Sequence, residues 1–286
     1  MLTSVSECVI LIIHNKTHTL DYGAIMNRDI VLFDMDGTLT EARQAFSQDL
    51  SSPLWDLSHV ADVGIVTGSD LNYVKEQMST LINLHSIRYR LHLLPCNGTK
   101  YLIPPESADE DHKMIHEASM EKELGKTNYN NLMEILICLQ AEMVDYDIPL
   151  TGHFISARGS TINWSPMGRN ANDKQRKHFK KFDKKFKFRH QFFSKLQDAL
   201  KEEKIDGVTV KLGGDTSFDI YPTGWDKTYA LRHFGGRNVW FVGDRARTPK
   251  GNDYEIFQAC GPRSFHTTGP EETREIVRRI ENLAGR

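Results

Sequence analysis

The feature that most constrains the fold is a short apolar run that ends in two carboxylates. Ile30-Val31-Leu32-Phe33 leads directly into Asp34-Met35-Asp36-Gly37-Thr38-Leu39-Thr40. Such a run is typical of a strand buried in a parallel sheet, and ligands of open α/β sheets bind at the carboxyl ends of these strands. Residues two apart on extended backbone point to the same side. Asp34 and Asp36 are therefore predicted to face one reacting centre.

A second predicted strand ends in hydroxyl side chains. The run 61–66 is followed by Thr67, Gly68 and Ser69, and Asp70 then precedes a predicted helix over 71–78. Hydroxyls and N–H groups between a strand end and a helix start are well placed to hold a phosphate. We expect Thr67 or Ser69 to do so.

A third predicted strand, over 238–242, ends in acidic residues. Asp244 follows it directly, and Asn252 and Asp253 come after a loop. Carboxylates gathered beside Asp34 and Asp36 would need a cation to offset their repulsion, and a hard, oxygen-liganded ion such as Mg²⁺ is the expected partner. Lys227 lies just upstream, at the start of a predicted helix.

Composition excludes several classes of partner. The 286 residues carry a formal net charge of −2, so bulk electrostatics does not suggest binding to nucleic acid or to an anionic membrane surface. No apolar run approaches the roughly 18 residues that span a bilayer. The four cysteines are scattered without metal-type spacing, which is typical of a reducing, cytoplasmic compartment. Residues 1–28 are interpreted as an N-terminal extension with Met26 as an alternative start.

The string Asp34 to Thr40 resembles the first motif of the haloacid dehalogenase superfamily, DxDGT[LV]T. The resemblance implies that Asp34 is a nucleophile that becomes an aspartyl phosphate, and that Asp36 is general acid and then general base. It further implies that Thr67 or Ser69 is the second-motif hydroxyl, that Lys227 is the third-motif lysine, and that Asp244 belongs to the fourth, acidic motif.

The layout predicts an α/β fold with an inserted domain. The motifs lie at the two ends of the chain, and residues 105–223 between them are too many for a loop. A helix over 131–143 and strand patterns over 151–164 and 209–221 favour an α+β cap with an antiparallel sheet. We therefore expect a haloacid-dehalogenase-like Rossmannoid core formed by residues 29–104 and 224–286, and a cap formed by residues 105–223.

Several stretches of the cap and its borders resemble eukaryotic-type phosphomannomutases. They cover most of residues 29–280 and include a match to the specific string GGxxSFDxFPxGWDK at residues 213–227. The resemblance implies substrate contacts from four arginines, which suit bidentate phosphate recognition, and from a serine and an aspartate. These residues are Arg43, Arg158, Arg169, Arg176, Ser217 and Asp219.

The same resemblance implies the cofactors and partners. The metal ligands would be Asp34, Asp36, Asp244, Asn252 and Asp253, with Mg²⁺ as the ion and hexose 1,6-bisphosphate as activator. The enzyme would interconvert mannose 6-phosphate and mannose 1-phosphate, feed GDP-mannose synthesis, and form a homodimer through the cap. Two alternatives stay open. One is a sugar-phosphate phosphatase with the same core, because Thr67 makes the turn after the second strand more similar to that of the phosphatases. The other is a catalytically weak homologue that binds a partner.

The basic stretch 174–189 has two interpretations, a nucleic-acid site and the solvated face of an amphipathic helix. Phe179, Phe182 and Phe186 recur at helical spacing within it, so a solvated basic face over a packed aromatic stripe is favoured over a nucleic-acid site.

Overall fold

The computed structural model describes residues 28–42 and 44–284. Arg43 and residues 1–27 of the predicted N-terminal extension, which include Met26, lie outside the described residues. The strands, in chain order, are β1 (Asp29–Phe33), β2 (Ala61–Val66), β3 (Leu91–Leu94), β4 (Lys100–Ile103), β5 (Lys113–Glu117), β6 (Ile155–Ala157), β7 (Ile162–Trp164), β8 (Val208–Gly213), β9 (Ser217–Pro222), β10 (Val239–Gly243) and β11 (Ser264–His266).

The helices alternate with the strands in the two ends of the chain and are clustered in its middle. In chain order they are α1 (Ser51–Val60), α2 (Leu71–Gln77), α3 (Ser79–Ile82), α4 (Met120–Leu124), α5 (Lys126–Ala141), α6 (Asp173–Phe186), α7 (Phe188–Glu202), α8 (Tyr254–Cys260) and α9 (Pro270–Ala284), and a 3₁₀ helix spans Lys227–Phe234. None of these helices combines the length and apolar character that a membrane span requires.

The core is a seven-stranded sheet in the order β11-β10-β1-β2-β3-β4-β5. The strands from β11 to β3 are parallel, and β4 and β5 add an antiparallel edge. Consecutive strands extend from β1 to one side, and β10, which comes from the other end of the chain, pairs with its opposite side. A crevice for a ligand therefore lies at the carboxyl end of β1.

Helices bury both faces of this sheet. Side chains of α1 and α9 pack on one face, where Leu54 and Ile280 are fully buried. Side chains of α8 and of the 3₁₀ helix pack on the other, around Phe241 and Phe234. The burial of residues 30–33 of β1 and of every residue of β2 explains why both strands are mostly apolar, with Asp62 as the charged exception in β2. The α/β prediction is confirmed.

The middle of the chain forms a second, antiparallel sheet in the order β6-β7-β9-β8. Trp164 and Phe218 point to the helical face of this sheet, where their rings stack at 4.8 Å between centroids. Asn163, Ser217 and Asp219 alternate with them and point to the opposite face. One face of the sheet thus packs against the helices, and side chains of the other face line a cleft.

One strand lies inside the range predicted for the cap but belongs to the core sheet. β5 pairs with β4 at the edge of the seven-stranded sheet, whereas the helices and strands from Met120 onward pack in a separate apolar cluster. We propose that the inserted unit begins after Glu117, because sheet pairing and core packing change there.

Two helical predictions differ in detail from the structure. The helix around Lys227 is of 3₁₀ type. α6 ends at Phe186 because Lys187 adopts a left-handed conformation with φ 51°. Phe179 is fully buried, as the aromatic stripe predicts, but Phe186 at the helix end is 46% exposed.

Candidate active site

The centre of the site is a buried cluster of one lysine and two aspartates. Asp34 follows β1, and its backbone N–H donates to Val242 O of β10 at 2.9 Å. Lys227 begins the 3₁₀ helix after its N-cap residue Asp226 and is only 1% exposed. Its Nζ donates to Asp34 Oδ1 and to Asp253 Oδ1, both at 2.5 Å. The lysine is thus held between a strand end and a loop that are far apart in sequence.

The charges of this cluster shift one another's pKa values. Burial, followed by the negative charge of Asp253, raises the pKa of Asp34 to about 8, although Lys227 opposes the rise. Burial alone would lower the pKa of Lys227, but Asp253 and Asp34 outweigh it and raise this pKa above its ordinary value. Lys227 therefore stays charged. A cation beside Asp34 would favour the ionised carboxylate that nucleophilic attack requires.

The two aspartates of this cluster and a third, Asp244, can share a metal ion. Oxygen atoms of Asp34, Asp244 and Asp253 lie within 4.8 Å of one another. Among the described residues, no hydrogen-bond partner reaches the buried Oδ1 of Asp244. An all-carboxylate donor set with one unpartnered buried oxygen fits a hard cation such as Mg²⁺. Asp36 and Asn252, the other predicted ligands, line the same cleft.

Glycine permits the close approach of these acids. Gly37 has φ +85°, and a Cβ at this position would lie 2.5 Å from Asp244 Oδ2. The residue therefore allows both the turn after Met35 and the contact between the β1 and β10 ends. This accounts for the glycine of the DMDGTLT string in physical terms.

Asp36 lies beside the cluster rather than in it. The turn that carries it is closed by bonds from the N–H groups of Leu39 and Thr40 to Met35 O, both at 3.0 Å. Asp36 Oδ1 accepts a hydrogen bond from the hydroxyl of Tyr73 at 3.2 Å. The two aspartates of the motif therefore have different surroundings, which suits a division between nucleophile and acid/base.

The hydroxyl loop after β2 borders the same cleft. Thr67 is buried, and its Oγ1 accepts from the N–H of Ser69 at 3.2 Å. The side chain of Asp70 caps α2 by accepting from the N–H of Tyr73 at 2.9 Å. Thr67 and Ser69 lie in the cleft wall with Asp34, as the sequence predicts.

The ligand face of the cap sheet carries a polar network around Asn163. Asn163 Nδ2 donates to Asp219 Oδ1 at 2.7 Å and to Ser217 Oγ at 3.0 Å. Its Oδ1 accepts from Arg169 Nη1 at 3.0 Å. Arg176 is joined to the network by a bond from its Nη2 to Arg169 O at 3.2 Å. Four predicted substrate residues are thus brought together in one place.

Arg158 has a different position from the other cap arginines. Its Nη1 donates to Gly68 O at 3.0 Å, and its Nε lies 3.9 Å from Asp70 Oδ2. The side chain lines the cleft while connecting the cap to the core loop after β2. In this arrangement Arg158 fastens the two units together.

Core and cap enclose one cleft of about 990 Å³. Asp34 and Asp36 lie on its core side and the Asn163 network on its cap side. One face of α6, with spacing i, i+3, i+4 and i+7, adds four lysines to the wall: Lys177, Lys180, Lys181 and Lys184. The basic face that the sequence predicts as solvated is turned toward the ligand space.

Sequence reasoning did not select three of these features. Asn163 is absent from the predicted site residues, although alternation with Trp164 along the predicted strand assigns it to the opposite face. Tyr73 is predicted only as part of the helix over 71–78, because its contact with Asp36 depends on tertiary structure. The orientation of the α6 lysines could not follow from helical periodicity, since both a cleft and bulk solvent accept charge.

Comparison with known proteins agrees with the geometry. Residues 50–283 match the sequence profile of the eukaryotic phosphomannomutases. The phosphomannomutase of Schizosaccharomyces pombe is 37% identical over 263 residues, with 90% of this chain and 95% of that protein covered. That of Saccharomyces cerevisiae is 36% identical over 260 residues, with 89% and 94% covered. The chain belongs to the eukaryotic phosphomannomutase family.

Solved structures support the same fold. The IMP-nucleotidase of Plasmodium falciparum, bound to IMP, superposes with a TM-score of 0.62 at 17% identity, over 90% of this chain and 69% of that one. A trehalose-6-phosphate phosphatase related protein gives a TM-score of 0.52 at 17% identity, over 89% and 98%. At such identities the likeness concerns the fold, which this phosphomannomutase-family chain shares with haloacid-dehalogenase-type phosphatases.

Proposed function

We propose that this protein is a phosphomannomutase that interconverts mannose 6-phosphate and mannose 1-phosphate through hexose 1,6-bisphosphate. The observation that carries the proposal is the division of one cleft. A buried Asp34–Lys227 pair lies on its core side, and Arg169, Arg176 and the Asn163 network lie on its cap side. A mutase needs both, because one phosphate reacts while the other is held.

The chemistry follows from the placement of the two aspartates. Phosphorylated Asp34 transfers its phosphoryl group to the free hydroxyl of the hexose phosphate as Asp36 removes the hydroxyl proton. The acyl phosphate bond breaks and the bisphosphate forms. After the bisphosphate reverses its orientation, Asp34 attacks the other phosphorus. The sugar oxygen leaves with the proton that Asp36 returns, and the aspartyl phosphate is restored.

Lys227 and the cap residues support both halves of this cycle. The buried ammonium of Lys227 offsets charge on Asp34 and on the entering phosphoryl oxygens. Arg169 and Arg176 would hold the distal phosphate, and Ser217 and Asp219 would contact sugar hydroxyls. We propose the same phosphate-binding role for Arg43, which lies outside the described residues, and for Arg158 a role in joining cap and core.

The acidic cluster is proposed to bind Mg²⁺. Asp34, Asp244 and Asp253 would hold the ion together with Asn252, and the bound ion would stabilise charge on the phosphoryl oxygens. Asp36, the fifth predicted ligand, is assigned to acid/base chemistry instead, because it lies beside this cluster and accepts a hydrogen bond from Tyr73. Activity is expected to disappear with a chelator and return with added Mg²⁺. Full activity in chelator would contradict the proposal.

The activity is tested directly by phosphorus NMR. The protein is given mannose 6-phosphate, Mg²⁺ and a trace of hexose 1,6-bisphosphate. A mutase produces mannose 1-phosphate, whereas a sugar-phosphate phosphatase produces free phosphate. Free phosphate as the sole product would favour the phosphatase alternative, and no turnover at all would favour a partner-binding homologue.

We further propose a cytoplasmic homodimer that supplies mannose 1-phosphate to GDP-mannose synthesis. Ile137 and Val144 in the cap are 58% and 72% exposed, and burying them against a second copy would remove this apolar surface from water. Replacing both with glutamate should shift the mass measured by light scattering from dimer to monomer. An unchanged mass would place the interface elsewhere or show that the protein is a monomer.

A further inference from the structure

Tyr73 makes a contact that the chemistry above does not use. Its hydroxyl donates to Asp36 Oδ1 at 3.2 Å, and its ring is half-buried against the apolar cluster under the sheet. The residue also lines the cleft. A phenol with a packed ring and a hydroxyl directed at one carboxyl oxygen is suited to fix the orientation of that carboxyl group.

The helix that carries Tyr73 is fastened at its first turn. The N–H of Tyr73 donates to the side chain of Asp70 at 2.9 Å. On the other side of Asp70, Arg158 from the cap approaches its carboxylate at 3.9 Å and bonds to Gly68 O at 3.0 Å. The phenol is therefore attached to a segment that both the core and the cap hold in place.

We propose that Tyr73 is a positioning residue for Asp36, an assignment that rests on the proposed function. By donating to Oδ1, the phenol fixes the rotation of the carboxyl plane and favours the proton on the other oxygen. That oxygen then delivers the proton to the bridging oxygen of the leaving group as the phosphorus–oxygen bond breaks, and recovers it from the incoming hydroxyl in the reverse step.

Two aryl phosphates whose leaving groups differ in basicity distinguish the positioning of Asp36 by Tyr73 from a purely structural role of Tyr73. p-Nitrophenolate leaves readily without a proton, whereas phenolate and sugar alkoxides are more basic and depend on the acid. Tyr73→Phe removes only the hydroxyl. We expect it to lower kcat for phenyl phosphate about threefold to tenfold, as for the loss of one hydrogen bond. Turnover of p-nitrophenyl phosphate and the KM of both substrates should stay within about twofold.

Two comparisons complete the experiment. Tyr89→Phe serves as the matched control, because the hydroxyl of Tyr89 bonds to His85 and Tyr89 is not among the residues lining the cleft; it should change neither substrate. In an Asp36→Asn background, Tyr73→Phe should have no further effect on phenyl phosphate, because the residue acts through the acid it positions.

Three results would overturn the proposal. Equal losses with both aryl phosphates would assign Tyr73 to the nucleophile or to folding. Unchanged turnover of phenyl phosphate would remove the hydroxyl from the reaction, and a further loss in the Asp36→Asn background would show that it acts elsewhere. Aryl phosphates carry no sugar and no distal phosphate. A protein with this leaving-group selectivity but no mutase activity would therefore contradict the proposed function alone, and a mutase without this selectivity would contradict the assignment of Tyr73 alone.

Discussion

At the scale of single residues, the site depends on buried charges that stabilise one another. Lys227 would ordinarily be a surface residue in the first turn of a helix, yet it is 1% exposed between Asp34 and Asp253. Removing one partner of a buried ion pair leaves an uncompensated charge and costs about 3–5 kcal/mol. The position of Lys227 is therefore fixed by the carboxylates as much as by the helix.

Arg176 provides a residue-scale test of the distal phosphate site. Arg176→Gln should lower mutase flux roughly tenfold to a hundredfold, the effect of losing one charge-assisted contact. Hydrolysis of p-nitrophenyl phosphate, which has no distal phosphate, should fall much less. Both rates are compared with the wild-type protein under the same conditions.

A second measurement separates binding from folding in this variant. Arg176 also bonds to Ala171 O and Arg169 O within the cap, so the melting temperature is recorded alongside the rates. Equal losses of both activities with a lower melting temperature would assign Arg176 to stability or closure. Unchanged mutase flux would remove it from the phosphate site.

At the scale of elements, alternation along the cap strands decides which side chains meet the ligand. Asn163 pairs with Asp219, and Trp164 pairs with Phe218 in the next register position. A shift of one residue would exchange the polar network for the aromatic pair. The apolar packing of the helices on one face thereby fixes the polar residues on the other.

The lysine face of α6 is the element whose function is easiest to test. Its charges face the cleft and should attract anionic sugar phosphates before they bind. Reversing two charges with Lys181→Glu and Lys184→Glu is expected to lower kcat/KM for mannose 6-phosphate about tenfold at low salt, with kcat unchanged. The difference should disappear near 1 M salt, where the Debye length is about 3 Å.

A matched pair controls for net charge. Lys122 and Lys201 are exposed, lie outside α6 and are not among the residues lining the cleft, so Lys122→Glu with Lys201→Glu changes the charge by the same amount. This pair should leave kcat/KM nearly unchanged. Equal losses in the two double variants would show that net charge, rather than the α6 face, attracts the substrate.

The sequence was most informative where local pattern and chemistry coincide. The apolar run before Asp34 predicts β1, and the strand Asp29–Phe33, buried from residue 30 onward, confirms it. The aspartates, Thr67 and Ser69 could be placed at strand ends for the same reason. The contact between Tyr73 and Asp36 joins residues that are 37 positions apart, and the contact between Arg158 and Gly68 joins residues that are 90 positions apart. No periodicity encodes such pairs, because they depend on how the cap and helices dock.

At the scale of the whole molecule, the two ends of the chain must meet to build one sheet. Arg237, just before β10, donates to Arg28 O at 2.7 Å and to Asp62 Oδ2 of β2 at 2.6 Å. His92 and Arg90 surround the same carboxylate. This cluster joins the second half of the core to the first at the amino ends of the parallel strands, whereas Asp34 follows the carboxyl end of β1.

Asp62 should therefore stabilise the fold in a pH-dependent way. Burial alone would raise its pKa, but His92 and Arg237 outweigh it and lower the pKa to about 2. Because this pKa is depressed, from about 3.9 in an unfolded chain, its contribution is complete above about pH 4 and disappears as pH falls toward 2. The linked change amounts to roughly 2–3 kcal/mol.

Urea unfolding of Asp62→Asn measures this contribution. At pH 7 the free energy of unfolding should fall by about 3–5 kcal/mol, because the surrounding arginines lose their buried partner. The gap to the wild-type protein should narrow below pH 4. Asp198→Asn, at an exposed position on α7, is the control and should change little. A gap that is small or independent of pH would show that Asp62 does not hold the two halves together.

The central claim is that phosphoryl groups pass through Asp34, and trapping the covalent intermediate tests it most directly. The protein is mixed with Mg²⁺ and hexose 1,6-bisphosphate, quenched, and treated with borohydride, which reduces an aspartyl phosphate to homoserine. Mass spectrometry of the peptides should place the reduced residue at position 34. Asp34→Asn should keep the fold, because the change is nearly isosteric and Asp253 still pairs with Lys227, and it should yield no reduced residue. A reduced residue at another aspartate, or near wild-type turnover by Asp34→Asn, would contradict the account.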